Sequence, residues 1–243
     1  EFKDLCLNPK TLFVVKKGSY AEKFFKAYKP ESAEVDHFLV VYEDTMSTSV
    51  SEEEIEALKY FDYIVNDDAT IEIYEKTFMD DLPSDEIVRI PATIRGMPVT
   101  KWNAGICDYM KEIHIPASIR SIENLEDVTL WLHEPKLERI IVADDNPNYW
   151  ADGQALYTKD RTILLRMFDY QTEKYTVCKD TTTVGKMAFS SFINLKKLIL
   201  SDKLQEIQTK AFERCSNLEE IIGIENVPNI ADDALESTPY YKK

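Results

Sequence analysis

Residues 184–235 read VGKMAFSSFINLKKLILSDKLQEIQTKAFERCSNLEEIIGIENVPNIADDAL, and their spacing decides the fold. Ala188-Phe189 returns as Ala211-Phe212, and then as Ala234-Leu235. Asn194-Leu195 returns as Asn217-Leu218, and Val184 as Ile207 and Ile230. The differences 211 − 188, 217 − 194 and 230 − 207 all equal 23. A fixed period of about 20–29 residues with apolar side chains at fixed phases marks a leucine-rich solenoid. Within each period, Leu198-Ile199-Leu200 and Leu218-Glu219-Glu220-Ile221 set apolar residues against outward ones, the pattern of a short strand with one buried face. The small-then-large pair Ala211-Phe212 predicts a single buried helical turn before each strand. No coil covers its own apolar face, so stacked neighbours bury a continuous core.

The same phases occur upstream. Val99, Met110, Ile113, Ile115, Ile119 and Ile122 sit at offsets 0, 11, 14, 16, 20 and 23, matching Val184, Leu195, Leu198, Leu200, Leu204 and Ile207. The solenoid proper is therefore expected to start near Val99. Residues 122–142 read as a stretched coil, its strand at 137–142 and Trp131-Leu132 filling the bulge. Residues 146–149 read as a turn, 155–157 and 163–166 as a hairpin around 158–161, and 174–178 as a returning strand.

Before the solenoid the pattern is α/β. Residues 11–15 read as a strand, followed by a helix from Ser19 with Glu22 completing a capping box and an aromatic face of Tyr20, Phe24, Phe25 and Tyr28. That face reads as packing on a strand rather than as a platform for a ligand. HFLVVY at 37–42 reads as a strand and Ser51 as a helix N-cap, with Ile55, Leu58 and Phe61 as the buried stripe. Residues 62–95 read as a β-ribbon, with Asp67/Asp68 and Asp80/Asp81 at turns. The fold class expected is α+β: a leucine-rich-repeat solenoid at 61–243, with a hairpin insertion near 149–166, preceded by a small α/β region at 1–60.

These lines resemble the BspA-like leucine-rich repeats of bacterial surface proteins. IPATIRGMPVTKW (90–102) is similar to that family's module-opening strand and tight turn, IVADDNPNYWADGQALYTKDRTILLR (141–166) to its recurrent hairpin, and KKGSYAEKFFKAY (16–28) to its module-closing segment. The resemblance implies a location outside the cell or on its surface, with host matrix proteins or neighbouring cells as partners. It also implies further strands after STPYYKK (237–243), with Tyr240, Tyr241 and the lysines covering the edge left where the chain stops.

Composition narrows the function classes. A net charge of −15 argues against nucleic acid, whose phosphates require basic patches, and against unaided adsorption to anionic lipid. No apolar run is long enough for a membrane-spanning helix; no charged-then-apolar leader is visible from Glu1, as is also expected where a leader has been removed. The four cysteines, Cys6, Cys107, Cys178 and Cys215, form no CxxC pair. Cys107 and Cys215 each lie eight residues after a repeat start, the phase that Phe192 takes after Val184. A phase that accepts Cys or Phe is a core position, so both read as buried thiols rather than as nucleophiles or disulfide partners.

No catalytic signature stands out. His37, His114 and His133 are the only histidines, none in HExxH; no serine lies in GxSxG; and the six glycines form no phosphate loop. No catalytic, metal or cofactor residue is therefore assigned. What the pattern does offer is a surface. Aligning strands on their buried residues places His114, Ile141, Ile199 and Ile222 in one outward row, with Glu112, Arg139, Lys197 and Glu220 beside it. That row is the candidate docking site of a non-enzymatic binding or adhesion module. Two other readings stand beside it: the isoleucines only stabilise their neighbouring strands within a structural spacer repeat, or the acidic N-terminal region carries an enzyme of unknown class.

Overall fold

The computed structural model of this chain describes residues 12–15, 39–42, 51–75, 87–103, 110–125 and 137–242. The helix expected from Ser19, the Asp80/Asp81 turn, Cys107 and Trp131-Leu132 lie outside them. Strands β1 (Leu12–Val15) and β2 (Leu39–Tyr42) pair in parallel. Helix α1 (Glu52–Ala57) starts where its capping sequence directs. The Glu54 amide donates to Ser51 Oγ at 3.1 Å, and the Ser51 amide to Glu54 Oε2 at 2.7 Å. Two amides that a helix start leaves orphaned are thereby satisfied.

Of the stripe expected here, Phe61 is buried and Leu58 packs on the core, but the structure corrects Ile55. Ile55 is 55% exposed, and the inward residues are Glu54 and Ala57. The helix is too short for the expected spacing: it ends at Ala57, and Phe61 already opens a strand. Glu54 is drawn inward because its second oxygen accepts the amide of Arg95 at 2.9 Å.

Strands β3 (Phe61–Val65) and β4 (Ile71–Glu75) form an antiparallel pair. Their turn is closed by Asp68, which accepts both the amide and the hydroxyl of Thr70. Next come β5 (Ile87–Arg89), β6 (Thr93–Ile94), β7 (Met97–Asn103), β8 (Glu112–Ile115), β9 (Ser121–Glu123) and β10 (Arg139–Val142). Strand β6 folds back on β7 through Arg95-Gly96, at φ +52° and +80°. Positive φ at both central residues matches the right-handed twist of a two-residue hairpin. Strands β4, β7 and β9 pair in parallel, as do β5, β8 and β10. Residues 87–91 are therefore a solenoid rung, not part of the ribbon, and the parallel ladders reach upstream of Val99. The 23-residue comb misses this rung because Val88 pairs with Ile113, 25 residues on, and Ile113 with Ile140, 27 residues on.

Strands β11 (Tyr149–Ala151), β12 (Ala155–Thr158) and β13 (Ile163–Met167) form an antiparallel meander at the expected insertion. After it, β14 (Lys174–Thr176), β16 (Lys197–Ile199) and β18 (Glu220–Ile222) stack in parallel at the 23-residue step. A second ladder joins β13 to β15 (Thr183–Val184), β17 (Glu206–Ile207) and β19 (Asn229–Ile230). The result is a β-solenoid with few helices.

Between the ladders, the expected helical turn is realised as a string of tight turns. Ala188 N–H donates to Gly185 O, Phe192 to Phe189, Ala211 to Gln208 and Cys215 to Phe212. Ser191, Arg214 and Ser237, one period apart, take φ of +68°, +60° and +66°, which stops a helix from continuing. The amides of Phe189 and Ser191 then reach the next coil, at Ala211 O and Glu213 O, both 2.8 Å away. Side chains repeat the device. Asn194 Nδ2 donates to Tyr170 O, and Asn217 Nδ2 to Ile193 O, each bridging adjacent coils.

Two apolar cores result. One runs from α1 to the meander, around Ile73, Trp102, Ile113 and Ile140; the other holds Val184, Phe189, Leu198, Phe212 and Ile221. Phe189 and Phe212 stack at 5.3 Å between centroids. Strand β12 is the wall between the cores. Leu156 belongs to the first core, whereas Ala155 and Tyr157 belong to the second.

Candidate functional site

The outward side chains of the longer ladders include the candidate docking residues expected from the repeat. The structure brings the eight residues together as two groups, not as one row. Ile141 pairs with His114, and Arg139 with Glu112. Ile199 pairs with Ile222, and Lys197 with Glu220. The two groups lie in different sheets, because the meander interrupts the ladder between β10 and β14. An insertion of this kind leaves the phase of each strand intact, so alignment by buried residues cannot reveal it.

Polar contacts tie each group together, within β8 and across strands. His114 Nε2 lies 2.6 Å from Glu112 Oε1, and Arg139 reaches Glu112 Oε2 at 3.3 Å. Lys197 Nζ meets Glu220 Oε2 at 2.7 Å. Of the apolar members, Ile222 is 42% exposed, while Ile141 and Ile199 are half-buried. In the row through Thr176, Ile199 and Ile222, apolar exposure therefore grows toward β18.

Where the ladder breaks, a groove of about 620 Å³ opens. Glu138 and Arg139 enter β10 on one side; Asp169, Gln171, Thr172 and Glu173 lead into β14 on the other; Asp152, Gly153 and Gln154 form the base. The base is held tightly. Asp152 Oδ1 accepts the amides of Gln154 and Ala155, and its Oδ2 accepts the Tyr175 hydroxyl. Tyr175 in turn meets the Tyr157 hydroxyl at 2.5 Å, and Tyr157 accepts the Cys178 amide at 3.2 Å. Burial pushes both phenols above their ordinary range, so the two hydroxyls keep their protons at physiological pH. Sequence reasoning missed the groove because all its lining residues except Arg139 sit in connections, outside the repeat phases.

Among the described residues, no group of three or more His, Cys, Asp or Glu is placed to hold a metal ion. No helix among them is long and apolar enough to cross a membrane. His37 and His133 lie outside the described residues.

Comparison with known proteins bears on the period directly. Residues 162–242, which are 81 of the 243 (242 − 162 + 1), match the BspA type leucine rich repeat region in six copies. The repeats at 162–242 are of the BspA type. Among solved structures, the chain is similar to the pneumococcal vaccine antigen PcpA, at 22% identity and a TM-score of 0.47, over 62% of this chain and 42% of that one. It is also similar to a leucine-rich repeat protein from Eubacterium ventriosum ATCC 27560, at 19% identity and a TM-score of 0.44, over 74% of this chain and 66% of that one. A third is the T. pallidum leucine-rich repeat protein TpLRR, at 18% identity and a TM-score of 0.39, over 72% and 80%. The chain thus spans less than half the length of the first and just under two thirds of the second. No curated protein matches it.

Proposed function

We propose that this BspA-type solenoid is a non-enzymatic binding module on a bacterial cell surface, and that its outward isoleucines are where a protein partner docks. The observation that carries the reading is Ile222. It is a large apolar side chain, 42% exposed and in register with Ile199, beside the Lys197–Glu220 ion pair. An apolar centre with a charged rim is the usual anatomy of a protein interface. His114 and Ile141, with Glu112 and Arg139, supply a second patch of the same make-up. The family resemblance points to host matrix proteins or proteins of neighbouring cells as partners. The division into an α/β region at 1–60 and a solenoid at 61–243 is part of the same proposal.

A spacer role is favoured by a different observation. Glu173–Lys196, Lys197–Glu220 and Asp180–Lys203 are ion pairs one period apart, with oxygen–nitrogen distances of 2.7 Å. Such a regular charged surface serves solubility as well as recognition. Binding to a panel of purified, immobilised extracellular-matrix proteins separates the two. The docking reading expects at least one to be bound, and Ile222→Glu to weaken that binding at least tenfold with an unchanged melting temperature. If Ile222→Glu binds the same protein as well as the unsubstituted chain, the docking surface is elsewhere.

A further inference from the structure

Arg166 is the one fully buried cation of the described residues, at 1% exposure, and no carboxylate pairs with it there. Its guanidinium donates through Nη1 to Met187 O, and through Nη2 to Tyr170 Oη at 3.0 Å and Ser190 O at 3.3 Å. It also lies 5.7 Å from the Phe192 ring centre. A buried charge without a counter-ion is costly unless several dipoles solvate it. The question is why the fold keeps it.

The repeat phase answers. Inside the stack, Ala211 O and Glu213 O receive the amides of Phe189 and Ser191 from the preceding coil. Ala234 O, one period on, receives the Phe212 amide in the same way. One period back, the equivalent carbonyls are Ala188 O and Ser190 O (211 − 23 and 213 − 23). There the preceding chain is the meander, not a coil with the same run of turns. Ala188 O is met by the Met167 amide at 2.8 Å, from the end of β13. Ser190 O has the Arg166 guanidinium instead of a backbone amide. The same guanidinium adds a donor at Met187 O, at the start of the turn string.

We infer that the meander is the terminal cap of the downstream repeat stack, and that Arg166 supplies, at Ser190 O, the hydrogen bond that a preceding coil would otherwise give. A solenoid exposes unmatched groups at each end of its stack, and dedicated capping units usually cover them. Here a hairpin strand supplies one donor from its backbone and the other from the side chain beside it. The guanidinium suits the task because its fork reaches two carbonyls and a hydroxyl at once, and it keeps its charge in a buried place. The cap acts on the coil that leads into β16, which carries Lys197 and Ile199. It does not depend on what docks there.

Native-state hydrogen exchange on the full chain tests this. The amides of Met187, Phe189 and Ser191 report detachment of the capped coil, and the Phe212 amide reports the interior. In Arg166→Met, which keeps apolar bulk without donors, exchange at the first three is expected to rise at least tenfold, with a clearly smaller rise at Phe212. Arg166→Lys, which keeps a donor on a long stem, should restore part of that protection. An equal rise at all four amides would make Arg166 an ordinary core residue and overturn the cap. So would lysine and methionine variants with identical exchange, or a methionine variant with no change at the capped coil. If Arg166→Met does not fold, the lysine variant alone decides, by whether its rise is confined to the capped coil or spread evenly.

Discussion

Leu198 and Ile221 stand in register on neighbouring parallel strands, 23 residues apart, and both are buried. Each is the middle residue of its strand, flanked by outward side chains. Their side chains join the two coils by packing, alongside the backbone ladder of β16 and β18. Leu198→Ala is expected to lower stability by about 2–5 kcal/mol, the range for truncating a buried leucine. Lys197→Ala removes a solvent-exposed ion pair and should cost less than about 1 kcal/mol. Denaturant titration of both variants checks the contrast. Equal midpoints would refute the phase assignment.

Cys215 tests the core at another phase. Its thiol is fully buried, donates to Phe189 O at 2.9 Å, and is pushed up to about 12 by that burial. Cys178 is only half-buried. At pH 8, alkylation of the native chain followed by mass mapping should therefore mark Cys178 well before Cys215. An unfolded thiol ionises near pH 8.5. Above that pH the unfolded state loses a proton that the native state retains, so stability is full below about 8.5 and falls as pH rises toward 12. Unfolding midpoints of Cys215→Ala should show a shallower decline over that window than those of the unsubstituted chain. Matching declines would remove Cys215 as the cause.

Asn146 shows how a turn can act as a core element. Its amide is fully buried and fully used: Nδ2 donates to Pro116 O at 2.9 Å and Ile119 O at 3.1 Å, and Oδ1 accepts the amides of Asn148 and Tyr149, both at 2.9 Å. Alanine there would remove four hydrogen bonds to buried or part-buried backbone groups. The expected loss is about 2–4 kcal/mol. Asn148→Ala removes one exposed bond to Arg120 O and should cost under about 1 kcal/mol. Thermal unfolding of the two variants provides the comparison, and a similar loss in both would contradict the buried role.

The legible parts of this fold were those in which every coil repeats the last. Val184, Leu198 and Ile207 return on schedule because adjacent coils here have the same length, and the meander announced itself through its turn residues at 158–161. The rung at β5 stayed hidden since its coil is two residues longer than the comb. Of the stripe expected on α1 only Ile55 departs, because the helix ends at Ala57 while Leu58 and Phe61 still reach the core. Ile55 looked inward only if the helix continued to Phe61. For the candidate site, the strand-to-strand partners of Ile141 and Ile199 were readable, but the break between them was not. Alignment by phase carries no information about what the chain does between two coils. Arg166 was equally silent in sequence, as an arginine amid hydrophobic neighbours that reads like any outward strand residue until its carbonyl partners are known.

Strand β12 has two owners, Leu156 serving one core and Ala155 and Tyr157 the other. That bears on how such a protein can lengthen over generations. The coils within 184–235 are interchangeable cassettes, since each offers the next the same apolar surface that it received. A gene duplication there adds a rung that fits both neighbours. A duplicate of the meander would meet a copy of itself on one side, with a surface suited to a different neighbour. Copying a single coil is thus easier within the regular stack than at β12, whose two faces suit different neighbours.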